Sequence, residues 1–243
     1  MEWTGKRYWL VGASEGLGAA LAQQLSRAGV HVILSARTED RLHEVARGLS
    51  GPSDVVPMDV TDPESVARAV ETVGAVDGVV WLASVYWPMT AQDWDVEKSV
   101  AMADVNFTGA LRVLGHVVPA MVARDAGHVV VIGSLAGYRG LPGAIGYGAT
   151  KAGCMSLAES LQTDLRHTGL RIQVANPGFI RTRQTDKNTF RMPFLMEPED
   201  AAREVFELMC DEGAARKSFP RLFSIPFRLS RMMPDWRYYR IFT

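Results

Sequence analysis

Tyr147 and Lys151 stand four residues apart at the end of a stretch that begins with Ser134 and reads Ser-Leu-Ala-Gly-Tyr-Arg-Gly-Leu-Pro-Gly-Ala-Ile-Gly-Tyr-Gly-Ala-Thr-Lys. On a helix, residues at i and i+4 share one face. An ammonium beside a phenol favours the phenolate and lowers a pKa that starts near ~10. Tyr147 is therefore a candidate proton donor and acceptor near neutral pH. Ser134 follows the apolar run His128–Gly133 and is a candidate hydrogen-bond donor to an oxygen that gains charge during reaction. The plainer alternative is a chance Tyr-x-x-x-Lys and a turn serine, because so short a motif means little without context.

Upstream, the strand-like run Tyr8–Val11 leads into Gly12-Ala13-Ser14-Glu15-Gly16-Leu17-Gly18, then into a helical pattern over 19–27 with Leu21 and Leu25 on one face. Strand, glycine-rich turn and helix form a phosphate cradle. Gly12 permits the turn, and Gly16 and Gly18 admit a phosphate to backbone amides at the helix N-terminus. The spacing is Gly-x-x-x-Gly-x-Gly, and the alternative is a flexible turn. A second strand, His31–Ser35, ends in Ser35-Ala36-Arg37 with no carboxylate before Glu39. An acid there would bind the ribose 2′-hydroxyl of NAD, whereas an Arg accommodates the NADP 2′-phosphate. Arg37, helped by Ser14, thus favours NADP(H) over NAD(H); the alternative is a solvated loop charge.

The remaining elements alternate. Helix is expected over 39–49, strand over 54–57, helix from Pro63 to Val73 behind the capping residue Asp62, and strand over 77–83, apolar on both faces as a buried parallel strand should be. Helix covers most of 92–123, tolerating Pro119. Asn106 inside it is a poor mid-helix residue. Either it distorts the helix and holds a water, or it is a surface Asn. Strands at 129–132 and 170–174 flank a helix over 147–166, and a last helix runs to about Cys210. This yields six strands in a doubly wound α/β fold with a parallel sheet and helices on both faces. Residues 183–198 are irregular and mix Phe190, Met192, Phe194, Leu195 and Met196 with cations. They are expected to form a mobile lid over an apolar site, with an ordinary surface loop as the alternative.

Bulk properties are ordinary. The 243 residues are 47% hydrophobic and 22% charged, with net charge −1, enough for one large domain and without the basic excess of a nucleic-acid binder. No uninterrupted apolar run reaches the ~18 residues of a membrane span. Cys154 and Cys210 lack metal-ligand spacing and fall in helical apolar patterns, which predicts two buried free thiols, no metal, and a reducing, cytoplasmic setting.

The order of these features resembles the short-chain dehydrogenase/reductase family, in its single-domain branch. The resemblance is carried by Gly12–Gly18, Asp59-Val60, Asn106, Ser134, Tyr147-x-x-x-Lys151 and Pro177-Gly178, and covers about residues 7–210. It implies a Rossmann-like domain over 1–220 that holds cofactor and catalysis together. Tyr147 would be the acid/base and Ser134 would orient the carbonyl. Lys151 would lower the Tyr147 pKa and hold the nicotinamide ribose, and Asn106 would hold a water of the proton relay. The implied cofactor contacts are Gly12, Ser14, Gly16, Leu17, Gly18, Arg37, Asp59 at the adenine, Val60, Ala83, Tyr147, Lys151, Pro177, Gly178, Ile180 and Thr182. The implied reaction moves a hydride between nicotinamide and a carbonyl or alcohol carbon. Tyr86, Trp87, Tyr138, Leu141 and the apolar residues of 190–196 suggest a hydrophobic substrate, or are core.

Three positions depart from the family pattern. Val11 replaces a usual Thr. Trp81-Leu82-Ala83-Ser84 replaces Asn-Asn-Ala-Gly. Lys217-Ser218-Phe219-Pro220 stands where many members have a Gly-Gly-containing strand. The tail, 221–243, follows. From Ala214 onward seven basic residues face one acid, so this end carries +6 and the rest −7. Its interleaved aromatics are expected to pack on the chain itself, at the substrate entrance, or on a second copy of a homo-dimer or larger homo-oligomer, with an amphipathic membrane-surface segment as the alternative. A cofactor-binding regulatory or scaffold protein is the alternative to the enzyme.

Overall fold

The apolar runs become strands of one parallel sheet in a computed structural model that describes residues 2–242. The strands are β1 (Arg7–Val11), β2 (His31–Ser35), β3 (Ser53–Val55), β4 (Gly78–Trp81), β5 (Gly127–Ile132), β6 (Leu170–Pro177) and β7 (Arg216–Phe219). Their order is β3-β2-β1-β4-β5-β6-β7, and every pairing is parallel. Successive strand side chains point to opposite faces, which splits the core in two. Trp9, Val11, Val129 and Val131 pack beneath α3 (Pro63–Val73), α5 (Gly109–Ala123) and α6 (Ile145–Asp164). Tyr8, Leu10, Val130 and Ile132 pack beneath α1 (Gly16–Arg27), α2 (Glu39–Arg47) and α7 (Pro198–Cys210). This is the expected doubly wound architecture. Strand order reverses between β1 and β4, which opens a crevice at the C-terminal strand ends.

Several elements differ from the sequence reading. A seventh strand exists: β7 pairs with the C-terminal half of β6, with Phe219 opposite Pro177. Its residues carry no apolar run because β7 is the sheet edge and Lys217 is held by Glu204 and Glu207 of α7. The helix expected from Gln92 starts later, as α4 (Val96–Ala103), where Asp95 caps the Lys98 N–H at 3.0 Å. It continues through a π-helical turn, Asp104–Thr108, into α5. Val96–Ala123 is thus one helix long and apolar enough to cross a membrane by composition. Here Val113, Leu114, Val117 and Met121 bury one of its faces in the sheet core. The tail folds as α8 (Arg221–Ser230) and α9 (Asp235–Phe242). Cys154 is buried as expected, whereas Cys210, the last residue of α7, is exposed.

A buried polar chain crosses the sheet. The Tyr8 hydroxyl lies 2.8 Å from His128 Nδ1, and His128 Nε2 lies 2.9 Å from Gln173 Oε1. Gln173 Nε2 donates to the carbonyls of Leu208, Asp211 and Ala214. Those bonds fix Oε1 toward His128, so Nε2 carries the imidazole proton and Nδ1 accepts. A second proton on Nδ1 would face the Tyr8 hydroxyl and the Arg171 guanidinium, both donors. Burial first, and Arg171 second, push the His128 pKa down to about 3. Burial raises the Tyr8 phenol, which keeps it a donor.

The neutral imidazole makes folding pH-dependent. The unfolded chain takes up this proton near ~6.5, whereas the folded chain resists it down to about pH 3. The contribution is therefore complete above about pH 6.5 and is lost as pH falls toward 3. Urea unfolding between pH 7 and pH 4 is expected to show stability falling with acid. His128→Gln should be less stable at pH 7 but flatter across that window. An unchanged slope in the variant would contradict this account.

Candidate active site

One cavity of about 1170 Å³ occupies the crevice at the C-terminal ends of β1, β2, β4, β5 and β6. Its floor is the glycine turn. Gly12 has φ +100°, and a Cβ there would approach the Ala83 nitrogen to 2.5 Å. Gly16 has φ +54°, and a Cβ would meet Thr182 Cγ2 at 2.8 Å. Gly18 leaves no room for a Cβ against the Gly12 carbonyl. Only glycine allows this backbone path, and the path sets the first turn of α1 at the cavity.

Ser14, Leu17, Arg37, Asp59, Val60, Ala83, Pro177, Gly178, Ile180 and Thr182 also line the cavity, as do Ser134, Tyr147 and Lys151. Ser134 ends β5 and caps a 3-10 turn, Leu135–Gly137, by accepting from the Ala136 N–H at 3.1 Å. Among the described residues its own proton has no acceptor. Tyr147 lies in the first turn of α6 with Lys151 one turn on. Lys151 is 2% exposed. Its Nζ donates to the Ile132 carbonyl at 3.1 Å and sits 5.7 Å from the centroid of the Tyr147 ring. Tyr86 packs edge-on against Tyr147 at 4.9 Å between centroids. Burial and Tyr147 together raise the Tyr86 phenol pKa.

Among the expected catalytic and cofactor residues, Asn106 alone does not face the cavity. The π-helical turn that the sequence flagged as a distortion is present at this residue, and the Asn is wholly buried. Its Oδ1 accepts from the Val85 N–H at 2.7 Å, and Nδ2 donates to the Val85 carbonyl at 3.0 Å and Thr150 Oγ1 at 3.1 Å. Its carbonyl accepts from Trp81 Nε1 and Cys154 Sγ. Both ends of the residue are committed to protein groups, so here it is a clamp on the loop after β4 rather than a water holder.

Residues 181–196 close over the opening. Their ends are joined where Arg181 N–H donates to the Met196 carbonyl and Met196 N–H to the Phe179 carbonyl. Gln184 Nε2 donates to the Ser84 carbonyl at 2.6 Å, Lys187 Nζ to the Tyr86 carbonyl at 2.7 Å, and the Tyr86 hydroxyl to Asn188 Oδ1 at 2.8 Å. Arg183 and Arg41 both pair with Glu15 on the glycine turn. Of the apolar residues in 190–196, only Phe190 reaches the cavity, while Phe194 stacks on Phe223. Tyr138 is core, bonded to Ser218 and Asn176. Phe223 and Phe227 of the tail line the cavity, in keeping with a tail packed at the substrate entrance, and Arg41, Gln184, Lys187 and Asn188 line it without a signal in the sequence reading. Arg41 lies in the first turn of α2, whereas Arg37 precedes the Thr38 cap, so helical spacing alone did not pair them.

The cavity suits a dinucleotide at the glycine end, where the cradle admits no Cβ and where Ser84 Oγ is buried without a hydrogen-bond partner. A family model described as short chain dehydrogenase matches residues 6–192. The chain belongs to the short-chain dehydrogenase family. An oxidoreductase of Myxococcus xanthus, itself uncharacterised, is 37% identical over 233 residues, 93% of this chain and 92% of that one. One from Staphylococcus epidermidis is 32% identical over 200 residues, 81% of this chain and 87% of its own. A solved short chain dehydrogenase/reductase family protein superposes with TM-score 0.82 at 27% identity, over 90% of this chain and 96% of that chain. An alcohol dehydrogenase of the archaeon Thermococcus sibiricus, complexed with 5-hydroxy-NADP, gives 0.77 at 25%, over 88% and 95%. This short-chain dehydrogenase is thus an oxidoreductase whose fold implies a nicotinamide cofactor.

The clamp is testable within this dehydrogenase. Asn106→Ala leaves the half-buried N–H and C=O of Val85 without their side-chain partner, at up to roughly 1–3 kcal/mol for each such group where water does not replace it. Urea unfolding should show a loss of about 2–4 kcal/mol, and dinucleotide affinity should fall with it as the loop loosens. A loss below about 0.5 kcal/mol would mean the contacts hold nothing.

Proposed function

We propose that this chain is an NADP(H)-dependent oxidoreductase acting on the carbonyl or alcohol carbon of a hydrophobic small molecule. One observation carries the reading: Ser134, Tyr147 and Lys151 converge on the wall of a cavity whose other end is the glycine cradle. A bound nicotinamide supplies or accepts the hydride. In reduction, the uncommitted Ser134 proton is donated to the carbonyl oxygen and polarises it. The Tyr147 hydroxyl delivers the proton to the same oxygen. The buried Lys151 ammonium, anchored on the Ile132 carbonyl, stabilises the phenolate left behind. Oxidation runs the same steps in reverse.

Arg37 supports the NADP(H) preference. It is exposed at the cavity rim and makes no ion pair among the described residues, so a 2′-phosphate would be its partner. Arg41, in the first turn of α2, lines the same cavity, although Glu15 engages it. The 5-hydroxy-NADP complex of the archaeal relative points the same way. Tyr86, Trp87, Leu141, Phe179, Phe190 and Phe223 ring the part of the cavity around Tyr147, which supports a bulky apolar substrate. Val96, Val100, Leu111 and Val122 stay exposed along one long helix, which supports a homo-oligomer. Free thiols fit a cytoplasmic setting.

Turnover of aromatic, aliphatic and cyclic carbonyls, followed by nicotinamide absorbance, tests the reading. NADPH should be used in preference to NADH. Tyr147→Phe should lower kcat by about 10²–10⁴ while dinucleotide binding persists. Arg37→Ala should raise KM for NADPH about tenfold or more and leave KM for NADH unchanged. Equal turnover in Tyr147→Phe would sink the mechanism, and equal use of both nucleotides by the unmodified protein would sink the NADP(H) assignment alone.

A further inference from the structure

Helix α8 has two different faces. Phe223 and Phe227 turn inward and line the cavity, and Ser224 and Ser230 are buried beside them. The outer stripe is Arg221, Leu222, Ile225, Arg228 and Leu229, all exposed and spaced to share one helical side. Helix α9 repeats the pattern. Tyr238 is buried, with its hydroxyl on the Gly140 carbonyl, and Phe242 stacks on it at 4.7 Å. Trp236, Arg237, Tyr239, Arg240 and Ile241 face outward. Between the helices Met232 is 76% exposed, with Leu222 at 71% and Trp236 at 70%.

Single exposed apolar residues are ordinary on a protein surface. Six large ones within residues 222–241, namely Leu222, Ile225, Leu229, Met232, Trp236 and Ile241, mark an interaction surface. The charges decide which one. Arg221, Arg228, Arg237 and Arg240 make no ion pair among the described residues. The patch's one acid, Asp235, is held by Arg139, and Arg231 faces Glu159. A symmetric contact between two copies sets a patch against itself. It would place unpaired arginines against unpaired arginines with no acid to spare. An anionic lipid surface meets both demands. Phosphates accept the guanidinium forks, Trp and Tyr suit the headgroup level, and the aliphatic residues enter the acyl boundary.

We propose that the outer faces of α8 and α9 dock this protein on the surface of an anionic bilayer. The helices lie on the membrane and do not cross it. Docking sets the inner face of the same helix, and hence the apolar part of the cavity, beside the lipid phase in which hydrophobic compounds concentrate.

The test uses the full chain and vesicles, and does not depend on turnover. Flotation is measured with phosphatidylcholine vesicles, with vesicles containing phosphatidylglycerol, and with the latter at high salt. The expected result is flotation with the anionic vesicles only, reversed by salt. The triple variant Arg228→Gln, Arg237→Gln, Arg240→Gln should bind about a hundredfold more weakly. Leu222→Ser with Trp236→Ser should also abolish flotation. These positions are solvent-facing, and the unmodified protein alone already decides the matter if a variant fails to fold. Absence of flotation by the unmodified protein overturns the proposal. So does flotation that the arginine variant leaves unchanged. So does a dimer in sedimentation that the Leu222/Trp236 variant dissociates without any vesicle binding, which would assign the patch to a second copy.

Discussion

The site depends on one buried amide. Asn106 sits where a single π-helical turn interrupts the long helix Val96–Ala123. The extra residue in that turn releases a side chain from the regular ladder and points it across the core. There it satisfies both backbone groups of Val85, twenty-one positions earlier, and reaches Thr150 on α6. Thr150 precedes Lys151, and its hydroxyl also donates to the Tyr147 carbonyl at 2.8 Å. One side chain therefore fixes the loop after β4 relative to the helix that carries Tyr147 and Lys151. The Asn106 carbonyl, bonded to Trp81 and Cys154, ties in the end of β4 as well. A buried network with every partner satisfied is rigid, and leaving one unmet is expensive.

That fixed loop is the anchor for the lid. Ser84 and Tyr86 offer backbone carbonyls to Gln184 and Lys187, and the Tyr86 hydroxyl reaches Asn188. The latches are polar and lie at the rim, whereas the enclosed wall is aromatic. The lid thus covers part of the cavity beside Tyr147, while Lys151 behind it is buried. At the opposite end Glu15 is bracketed by Arg41 and Arg183. Its carboxylate would otherwise oppose a phosphate at the glycine cradle. The pairing offsets that charge and joins cradle and lid through a shared carboxylate.

Much of this was legible in the sequence, for stateable reasons. Buried parallel strands such as β4 and β5 are apolar on both faces, and the glycine turn announces itself because only glycine fits its path. Tyr147, Lys151 and Ser134 were legible by type and spacing. Asn106 was legible as a misfit in a helix, but its partner was not, because a bond to Val85 exists only once the chain has folded. Edge strand β7 was invisible for the same reason: Arg216 and Lys217 read as solvated charges until Glu159, Glu204 and Glu207 are brought beside them. The tail helices were obscured by Pro226 and by aromatic residues of modest helix propensity. Their order comes from tertiary packing on Leu135, Tyr138 and Arg139 rather than from local preference.

The C-terminal helices show how the fold divides its labour. The cofactor end of the cavity is built from backbone, in glycines and strand termini, and cannot vary without losing the turn. The opposite end is built from side chains on four separate segments: the loop after β4, the stretch around Leu141, the lid, and α8. Phe190 and Phe194 of the lid and Phe223 and Phe227 of α8 join through Phe179, just after β6, and through Phe223 into one run of touching rings. Such contacts are non-directional and tolerate shape changes, so this wall can be remodelled without disturbing the catalytic geometry. Arg139 holds the arrangement from outside, donating to the Ser230 and Met233 carbonyls and stacking on Tyr238. Arg139, in the stretch between Ser134 and Tyr147, thereby ties α8 and α9 to the cavity wall, alongside the Tyr238 bond to the Gly140 carbonyl and the packing of Phe223 and Phe227 on the core.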